Sequence, residues 1–215
     1  MGLTVIIDVF RAFSLECYLF ANGAEKILPV GDVEIARRLG AEHPDYILIG
    51  ERSEQKIEGF HYGNSPALIR DVDFSGKTIV HTTSAGIQGI VNSGGASEII
   101  TGSFVNAGAI IRYIQKRRPV MVSLVCMGYS ARLKAEEDTL CAEYIYNKLK
   151  GLETDFNVMK RRIKNTSGKR FFDPAKSVFN PSEDFDLCLD LDRFNFIIRA
   201  EKGDGGWWVN KKFTF

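Results

Sequence analysis

VMVSLVCMGYSARLKAEEDTLCAE, at residues 120–143, joins an apolar run to an acidic segment through a loop of small residues. We predict a buried strand over 120–126 and a helix over 134–149, because an apolar, β-branched run is followed by apolar residues at helical spacing. α/β enzymes use such strand–loop–helix junctions to gather backbone N–H groups around an anion. Three carboxylates in the first helical turn would repel that anion unless a cation lay between them. The stretch therefore predicts a metal-assisted site for an anion such as phosphate.

Apolar runs alternate with amphipathic segments along most of the chain. This alternation predicts an α/β fold whose mostly parallel sheet or sheets are covered on both faces, in a three-layer α/β/α arrangement. The glycines before Trp207 and Trp208 favour a hairpin or a docking arm near the end of the sequence. We predict strands at residues 3–9, 26–30, 46–50, 78–82, 98–101, 120–126 and 195–199. We predict helices at residues 12–22, 33–42, 84–92, 106–116 and 134–149.

The last third of the chain differs in composition from the part before it. Residues 160–169 are basic and polar, residues 171–185 are rich in aromatic side chains, and residues 184–192 are acidic. We therefore assign residues 1–150 to an α/β core and residues 151–215 to a C-terminal part that completes a second lobe of the same α/β unit.

Composition excludes several classes of protein. The 215 residues carry a formal net charge of +1, so no overall field attracts nucleic acid or a membrane surface. No apolar stretch is long enough to cross a bilayer, and Asp8 and Arg11 interrupt the first apolar run before it could act as a signal peptide. The four cysteines lie far apart, which is typical of reduced thiols rather than of disulfides or a zinc site. We therefore expect a cytoplasmic protein.

Polar residues follow the predicted strands at the points where the strands end. Because the carboxyl ends of parallel strands meet at one edge of a sheet, we expect these side chains to converge on one crevice. A turn before Pro66 adds two more polar residues. The complete set is Asp8, Arg11, Glu51, Arg52, Asn64, Ser65, Thr82, Thr83, Ser84, Ser103 and Asn106.

Each of these groups also has an ordinary structural explanation. Asp8 and the threonines could cap the helices that follow them. Glu51 and Arg52 could form a solvated ion pair at a strand end. The turn at Asn64 could be turn chemistry and nothing more.

The acidic trio of Glu136, Glu137 and Asp138 suits the positive end of a helix dipole. Three carboxylates in succession exceed what the dipole requires, so we expect at least one of them to bind Mg²⁺, which prefers oxygen ligands. Glu137 and Asp138 are the stronger candidates, and Glu136 stays open. The three histidines, His43, His61 and His81, are not at zinc-ligand spacing, and we interpret each as structural or surface.

Cys126 and Arg132 offer a competing chemistry. Their spacing at a strand–loop–helix junction matches that of cysteine-dependent phosphatases, in which a thiolate attacks phosphorus and an arginine binds the phosphoryl oxygens. A cysteine at the end of a strand more commonly serves packing, and neighbouring carboxylates raise the pKa of a thiol. The cysteine mechanism is therefore the alternative rather than the main hypothesis.

At these residues the chain resembles the 2-phosphosulfolactate phosphatase family. The matching segments, in the family's order, are IDVFRA (7–12), ANGAEKILPV (21–30), IGER (49–52), GFHYGNSP (59–66), GKTIVHTTSAG (76–86), TGSFVNA (101–107) and EDTLCAE (137–143). The resemblance implies an α/β fold of two similar lobes. It also implies a Mg²⁺-dependent acid phosphatase that converts (2R)-2-phospho-3-sulfolactate to 3-sulfolactate and phosphate, a step of coenzyme M biosynthesis in methanogens.

We therefore expect a small anionic phosphomonoester as substrate and Mg²⁺ as cofactor. Asp8, Glu51, Glu137 and Asp138 are the candidate metal ligands. Asp8, Glu137 and Asp138 are also the candidate catalytic residues, through activated water or through attack by Asp8 itself. Neither nucleic acid nor a membrane is an expected partner, and a homodimer stays open. The candidate substrate-binding residues are Arg11, Arg52, Asn64, Ser65, Thr82, Thr83, Ser84, Ser103, Asn106 and Arg132.

The chain departs from the family pattern around Ser167-Gly168, where the family has His-Gly, and at two earlier positions. Ser84-Ala85-Gly86 stands where the family usually has Asn-Gly after its threonines, and Met127 stands where a small residue usually follows the cysteine. These departures leave open a relative that binds phosphate or sulfonate without hydrolysing an ester.

Overall fold

The computed structural model describes residues 2–93 and 95–215, which form an α/β fold. Its strands are β1 (Gly2–Ile7), β2 (Lys26–Pro29), β3 (Ile47–Arg52), β4 (Gln55–Lys56), β5 (Thr78–Thr82), β6 (Glu98–Gly102), β7 (Met121–Cys126), β8 (Ile197–Lys202) and β9 (Trp208–Phe213). Its α-helices are α1 (Ala12–Ala21), α2 (Val33–Glu42), α3 (Gly86–Val91), α4 (Ala107–Arg117), α5 (Glu136–Leu149), α6 (Phe156–Lys164) and α7 (Ser182–Cys188).

The strands of the described residues form one mixed sheet of nine strands, in the order β4-β3-β5-β2-β9-β8-β6-β1-β7. It contains two groups of parallel strands, β3-β5-β2 and β6-β1-β7. The hairpin of β8 and β9 lies between the groups and pairs antiparallel with each of them. The two groups therefore run in opposite directions, and the expectation of a mostly parallel sheet is not confirmed.

Burial follows the position of each element in the sheet. β5 lies inside its parallel group and is buried at every residue, as expected for a strand covered on both faces. α1 is buried along nearly its whole length, including the charged Glu16. α2, by contrast, buries only Ala36 and is capped by Asp32, whose side chain accepts hydrogen bonds from the backbone of Glu34 and Ile35. The centre of the molecule thus contains α1 and the strands around it.

The predicted elements before residue 150 are confirmed to within a few residues at their ends. The hairpin predicted near Trp207 and Trp208 is confirmed as β8 and β9. Three of the strands and α-helices, β4, α6 and α7, lie outside the predictions, and β9 is predicted only as an arm of the hairpin, without bounds. β4 has two residues, and β9 carries the polar run Asn210-Lys211-Lys212, so neither has the apolar pattern that identifies a strand. The assignment of residues 1–150 and 151–215 stays a prediction.

The predicted burial of residues 120–126 is wrong. β7 is the edge strand of the sheet, so only one neighbour covers its length. Val120 is 90% exposed and Met121 is 63% exposed, while Val122 and Leu124 pack against the core. An apolar run is therefore compatible with an edge strand. β7 is more exposed than the buried strand that its sequence suggests. No helix of the described residues is both long and apolar enough to cross a membrane.

We expect a matched pair of valine substitutions to separate the buried strand from the edge strand. Val5 in β1 is completely buried, whereas Val125 in the adjacent β7 is 40% exposed. Val5→Ala should lower the free energy of unfolding by about 1.5–3 kcal/mol, and Val125→Ala by less than about 1 kcal/mol, because burial and cavity formation set the cost. Urea unfolding measures both values. Equal losses would contradict the edge position of β7.

Candidate active site

Asp8, directly after β1, lies at the centre of a cluster of buried carboxylates. Its Oδ1 accepts a hydrogen bond of 3.2 Å from the backbone N–H of Ala12 at the start of α1. Gly86 packs directly on it, since a Cβ atom at that position would come within 2.8 Å of Asp8 Oδ2. This close approach brings the segment after β5 onto the end of β1, although the two strands belong to groups that run in opposite directions.

Asp138, in the first turn of α5, ties three segments together. Its Oδ1 accepts from the backbone N–H of Val9, and its Oδ2 accepts from that of Gly128, each at 2.8 Å. Gly128 has a φ of +67°, and a Cβ there would lie 2.1 Å from the carbonyl oxygen of Leu133. Asp138 therefore fixes the end of β1 and the loop after β7 around one carboxylate.

Glu51, at the end of β3, connects two segments of the other group of strands by accepting hydrogen bonds from their backbone. Its Oε1 accepts from the backbone N–H of Ser84 at 2.7 Å, and its Oε2 accepts from that of Glu54 at 2.9 Å. The side chain is buried, so its negative charge is held by backbone amides rather than by water. The loop that contains Thr83 and Ser84 is thereby attached to β3.

Glu137 is the carboxylate without a full set of partners. It is 3% exposed, and within the described residues its Oε2 has no hydrogen-bond partner. Its Oε1 lies 3.8 Å from Nη2 of Arg170. A buried carboxylate oxygen without a donor is costly, so this atom marks a position where a cation would be favourable.

The negative charges of these carboxylates repel one another. Burial, together with the charges of Glu137 and Glu51, raises the pKa of Asp8 to about 7. Burial and the charges of Asp8 and Glu137 raise the pKa of Asp138 well above its ordinary value. Both shifts show that the cluster disfavours full ionisation without a cation.

The donor set suits Mg²⁺, which prefers carboxylate oxygens and commonly takes one or two of them while keeping water ligands. Among the described residues, no group of three or more histidine, cysteine, aspartate or glutamate side chains is arranged so that it could hold a metal ion without rearrangement. Asp8 and Glu137 are the carboxylates least engaged by the backbone, because both oxygens of Asp138 and of Glu51 already accept backbone hydrogen bonds.

One cavity collects eight of the predicted site residues. Its walls also include the backbone turn at residues 128–130 and the side chains of Phe10 and Tyr129. The predicted residues that line it are Asp8, Arg11, Glu51, Asn64, Thr83, Ser84, Glu137 and Asp138.

The other predicted residues lie outside the lining of this cavity. Ser103 and Asn106 form a capping box on the 3₁₀ helix Phe104–Asn106 that precedes α4, and Ser103 Oγ also contacts Ser14 Oγ at 2.6 Å. Arg132 is exposed in the loop after β7. Ser103 and Asn106 therefore stabilise local structure, and Arg132 faces solvent rather than the cavity.

Arg52, Thr82 and Ser65 are also engaged by other protein groups. Arg52 Nη2 donates to Thr82 Oγ1 at 2.9 Å, which joins β3 to β5 beside the cavity. Ser65 Oγ donates to Asp184 Oδ1 at 2.9 Å. Their hydrogen bonds explain why these polar residues are buried or half-buried without lining the site.

Arg11 lines the cavity, but its charge is paired within the protein. Its Nη1 donates to Asp184 Oδ2 at 2.7 Å and to the carbonyl oxygen of Phe179 at 2.8 Å, and both side chains of the ion pair are buried. Asp184 belongs to α7, so this pair holds the C-terminal segment against the site. An arginine in this state is a structural clamp as well as a candidate for anion binding.

Arg170 and Glu54 are charged cavity residues that the sequence-based predictions miss. The guanidinium carbon of Arg170 lies 5.3–5.8 Å from the ring centres of Phe10, Tyr129 and Phe171. Its Nη1 donates to Glu54 Oε1 at 2.9 Å, and its Nε is buried without a partner in the described part of the chain. Arg170 lies in the short 3₁₀ helix Ser167–Phe172, whose basic composition gives no sign of where it packs.

Comparison with known proteins identifies the family. Residues 1–203 match the family model of the 2-phosphosulpholactate phosphatases. The chain belongs to this family. It is 32% identical over 213 residues to a protein of Caldanaerobacter subterraneus named a probable 2-phosphosulfolactate phosphatase, a match covering 93% of this chain and 88% of that protein.

Further relatives of the 2-phosphosulfolactate phosphatase family have the same name. A Bacillus subtilis protein is 30% identical over 209 residues, covering 94% of this chain and 88% of its own length. A Thermotoga maritima protein is 39% identical over 146 residues, covering 68% of this chain and 62% of its own length.

Cys126 does not line the cavity. Its Sγ contacts the backbone carbonyl oxygen of Asp138 at 3.3 Å, as a donor. Although Cys126 is exposed as a whole, local desolvation of its sulfur, followed by the charge of Asp138, raises the pKa of the thiol to about 11. A thiol with this pKa is almost entirely protonated at neutral pH, so the geometry and the pKa both oppose a cysteine nucleophile.

We expect Cys126 to react slowly with iodoacetamide at pH 8. The rise of its pKa from 9.0 to about 11 lowers the thiolate fraction by about a hundredfold relative to an ordinary thiol. Because the pKa is raised, the rate should increase about tenfold per pH unit until the pH approaches 11. Mass spectrometry of the peptide, with Cys126→Ser as the control, measures the rate. Rapid alkylation that no longer increases above pH 8 would contradict this assignment.

Proposed function

We propose that this chain is a Mg²⁺-dependent phosphatase that hydrolyses (2R)-2-phospho-3-sulfolactate to 3-sulfolactate and inorganic phosphate. Membership of the family supports the phosphatase reaction and its substrate. The observation that carries the proposal is the unpartnered, buried Oε2 of Glu137 beside Asp8, in a cavity that is lined by five carboxylate residues including Glu54. This is the reaction that the family resemblance associates with coenzyme M biosynthesis.

Asp8 and Glu137 would hold the metal ion. Asp138 and Glu51, oriented by backbone amides, would support it directly or through water. When bound, Mg²⁺ would neutralise charge on the phosphoryl oxygens and favour a nucleophilic water. The four carboxylates would otherwise repel a phosphate ester, so the metal and the substrate are complementary.

The residues around the carboxylates supply the remaining tasks. Thr83 and Asn64 line the cavity with a hydroxyl and an amide group that would donate hydrogen bonds to phosphoryl oxygens. Ser84 also lines it, and its hydroxyl and backbone N–H both donate to Glu51. One of the cavity carboxylates would take a proton from the attacking water, or Asp8 would itself attack phosphorus. Arg170 would bind the phosphate, the carboxylate or the sulfonate of the substrate at the rim.

We also infer the setting in which the protein works. The formal net charge of +1 and the free cysteines support a cytoplasmic enzyme of a small metabolite, without a nucleic-acid or membrane partner, and a homodimer stays open. The two groups of parallel strands support two similar lobes, with helices covering the sheet in three layers. Under this division the C-terminal residues complete the second lobe.

We expect Glu137→Gln to abolish most of the activity, whereas Glu136→Gln leaves it nearly unchanged. The two neighbours differ in setting, because Glu137 lies in the cavity while Glu136 pairs with Arg162 on the surface of α6. Loss of a metal-binding carboxylate should lower kcat by about 10²–10³-fold, on the scale of other groups that stabilise transition-state charge. Phosphate release from 2-phosphosulfolactate, with and without Mg²⁺, measures the effect.

Chelation provides the corresponding control. EDTA should abolish phosphate release by the parent enzyme, and added Mg²⁺ should restore it. Full activity after exhaustive chelation would refute the metal-dependent mechanism. Tight binding of sulfolactate without any phosphate release would instead indicate a relative that binds but does not hydrolyse.

We expect Arg170→Lys to raise KM by about tenfold and Arg170→Ala by more, because a planar guanidinium donates two hydrogen bonds to an oxyanion and an ammonium does not. Arg161→Ala is the matched control, since Arg161 is exposed on α6 outside the cavity. Steady-state kinetics with 2-phosphosulfolactate measure KM and kcat. An unchanged KM in both Arg170 variants would remove this residue from the substrate site.

A further inference from the structure

A buried chain of hydrogen bonds leads from the centre of the molecule to the cavity wall. His81 Nδ1 lies 2.9 Å from Glu16 Oε1, and His81 Nε2 lies 3.4 Å from Asn64 Oδ1. On the far side, Asn210 Nδ2 donates to Glu16 Oε2 at 2.8 Å. Glu16, His81 and Asn210 are completely buried, and Asn64 is 7% exposed.

The four residues come from four separate parts of the chain. Glu16 lies on α1, His81 on β5, Asn210 on β9, and Asn64 in the loop before Pro66. Of these residues only Asn64 lines the cavity. A buried carboxylate and imidazole stabilise a fold only when their hydrogen bonds are satisfied. The packing around these four residues therefore has to hold each donor opposite its acceptor.

The donors and acceptors determine which end of Asn64 faces the cavity. A carboxylate only accepts hydrogen bonds, so His81 Nδ1 carries a hydrogen that it donates to Glu16. Asn64 directs its Oδ1 towards His81 Nε2 at 3.4 Å, so the amide oxygen is the atom that faces the histidine. Because Asn64 also lines the cavity, its NH₂ group is then left to donate a hydrogen bond there.

We propose that Glu16 and His81 are positioning residues, which hold Asn64 so that its NH₂ group donates a hydrogen bond to a phosphoryl oxygen of the substrate. This inference rests on the proposed phosphatase function. It assigns the buried Glu16–His81 pair a role beyond the stability of the core. The pair orients Asn64 so that its NH₂ group, rather than its carbonyl oxygen, faces the anionic substrate. The histidine that the sequence presents as structural acts on the substrate through Asn64.

Two substitutions of His81 separate positioning from folding. His81→Asn keeps a donor near the position of Nδ1, towards Glu16, but removes the contact with Asn64. His81→Gln places a donor near the position of Nε2 and so keeps the contact with Asn64. Tyr18→Phe is the control on the same helix as Glu16, because it removes a buried hydrogen bond to the carbonyl oxygen of Leu187 away from the cavity.

Steady-state kinetics and calorimetric binding of inorganic phosphate provide the test. We expect Asn64→Ala and His81→Asn each to raise KM and the phosphate Kd by about tenfold or more, with kcat changed by less than about threefold. His81→Gln should keep KM and the phosphate Kd within about threefold of the parent values. The double variant His81→Asn/Asn64→Ala should have a KM no higher than that of Asn64→Ala alone. Tyr18→Phe should lower the melting temperature without changing KM.

Other outcomes overturn the inference. Equal effects of His81→Asn and His81→Gln, or additive effects of His81→Asn and Asn64→Ala, would indicate a purely structural histidine. If His81→Asn does not fold, Glu16→Gln replaces it: a rise in KM that disappears in the Asn64→Ala background supports positioning, and an additive rise contradicts it. An active parent with an unaffected Asn64→Ala variant overturns the inference alone, whereas a parent that neither hydrolyses phosphomonoesters nor binds phosphate overturns the proposed function and the inference together.

Discussion

The mutual repulsion of buried carboxylates around Asp8 is the constraint on which the site depends. Asp8, Glu51, Glu137 and Asp138 share one cavity, and their ionised forms oppose one another in a poorly solvated environment. Backbone amides offset part of this cost at Asp138 and Glu51, which are held by the segments that they join. The remaining unsatisfied charge at Asp8 and Glu137 is what a divalent cation would compensate.

The same constraint links stability to pH. Because the folded protein raises the pKa of Asp8 from 3.8 to about 7, the folded state binds a proton at Asp8 that the unfolded chain has lost between these values. The stabilising contribution of protonated Asp8 is therefore full below 3.8 and is lost as the pH rises through about 7. A bound cation would reverse this dependence by favouring the ionised form. Binding of a cation would thus be coupled to the loss of the proton from Asp8.

The C-terminal residues complete the site and the sheet together. The β8–β9 hairpin lies between two oppositely directed groups of strands, and Asn210 of β9 anchors Glu16 at the centre. Asp184 of α7 binds Arg11, and Arg170 closes the cavity against Glu54. The chain after residue 156 is therefore part of the functional unit, although its sequence differs in composition from the core.

The sequence by itself determined the α/β class, the helices and strands before residue 150, and the polar strand ends, because apolar periodicity and helix-start chemistry are local signals. It also brought eight residues of the cavity into one candidate list, from Asp8 to Asp138. Only the tertiary structure decided that the strand groups run in opposite directions, that β7 is an exposed edge, and that Ser103, Asn106 and Arg132 lie away from the cavity. It alone placed Arg170 in the cavity and connected His81 to Asn64. These features depend on contacts between residues far apart in the chain, such as Glu16 and Asn210 or Glu54 and Arg170, and no local pattern of residues encodes such contacts.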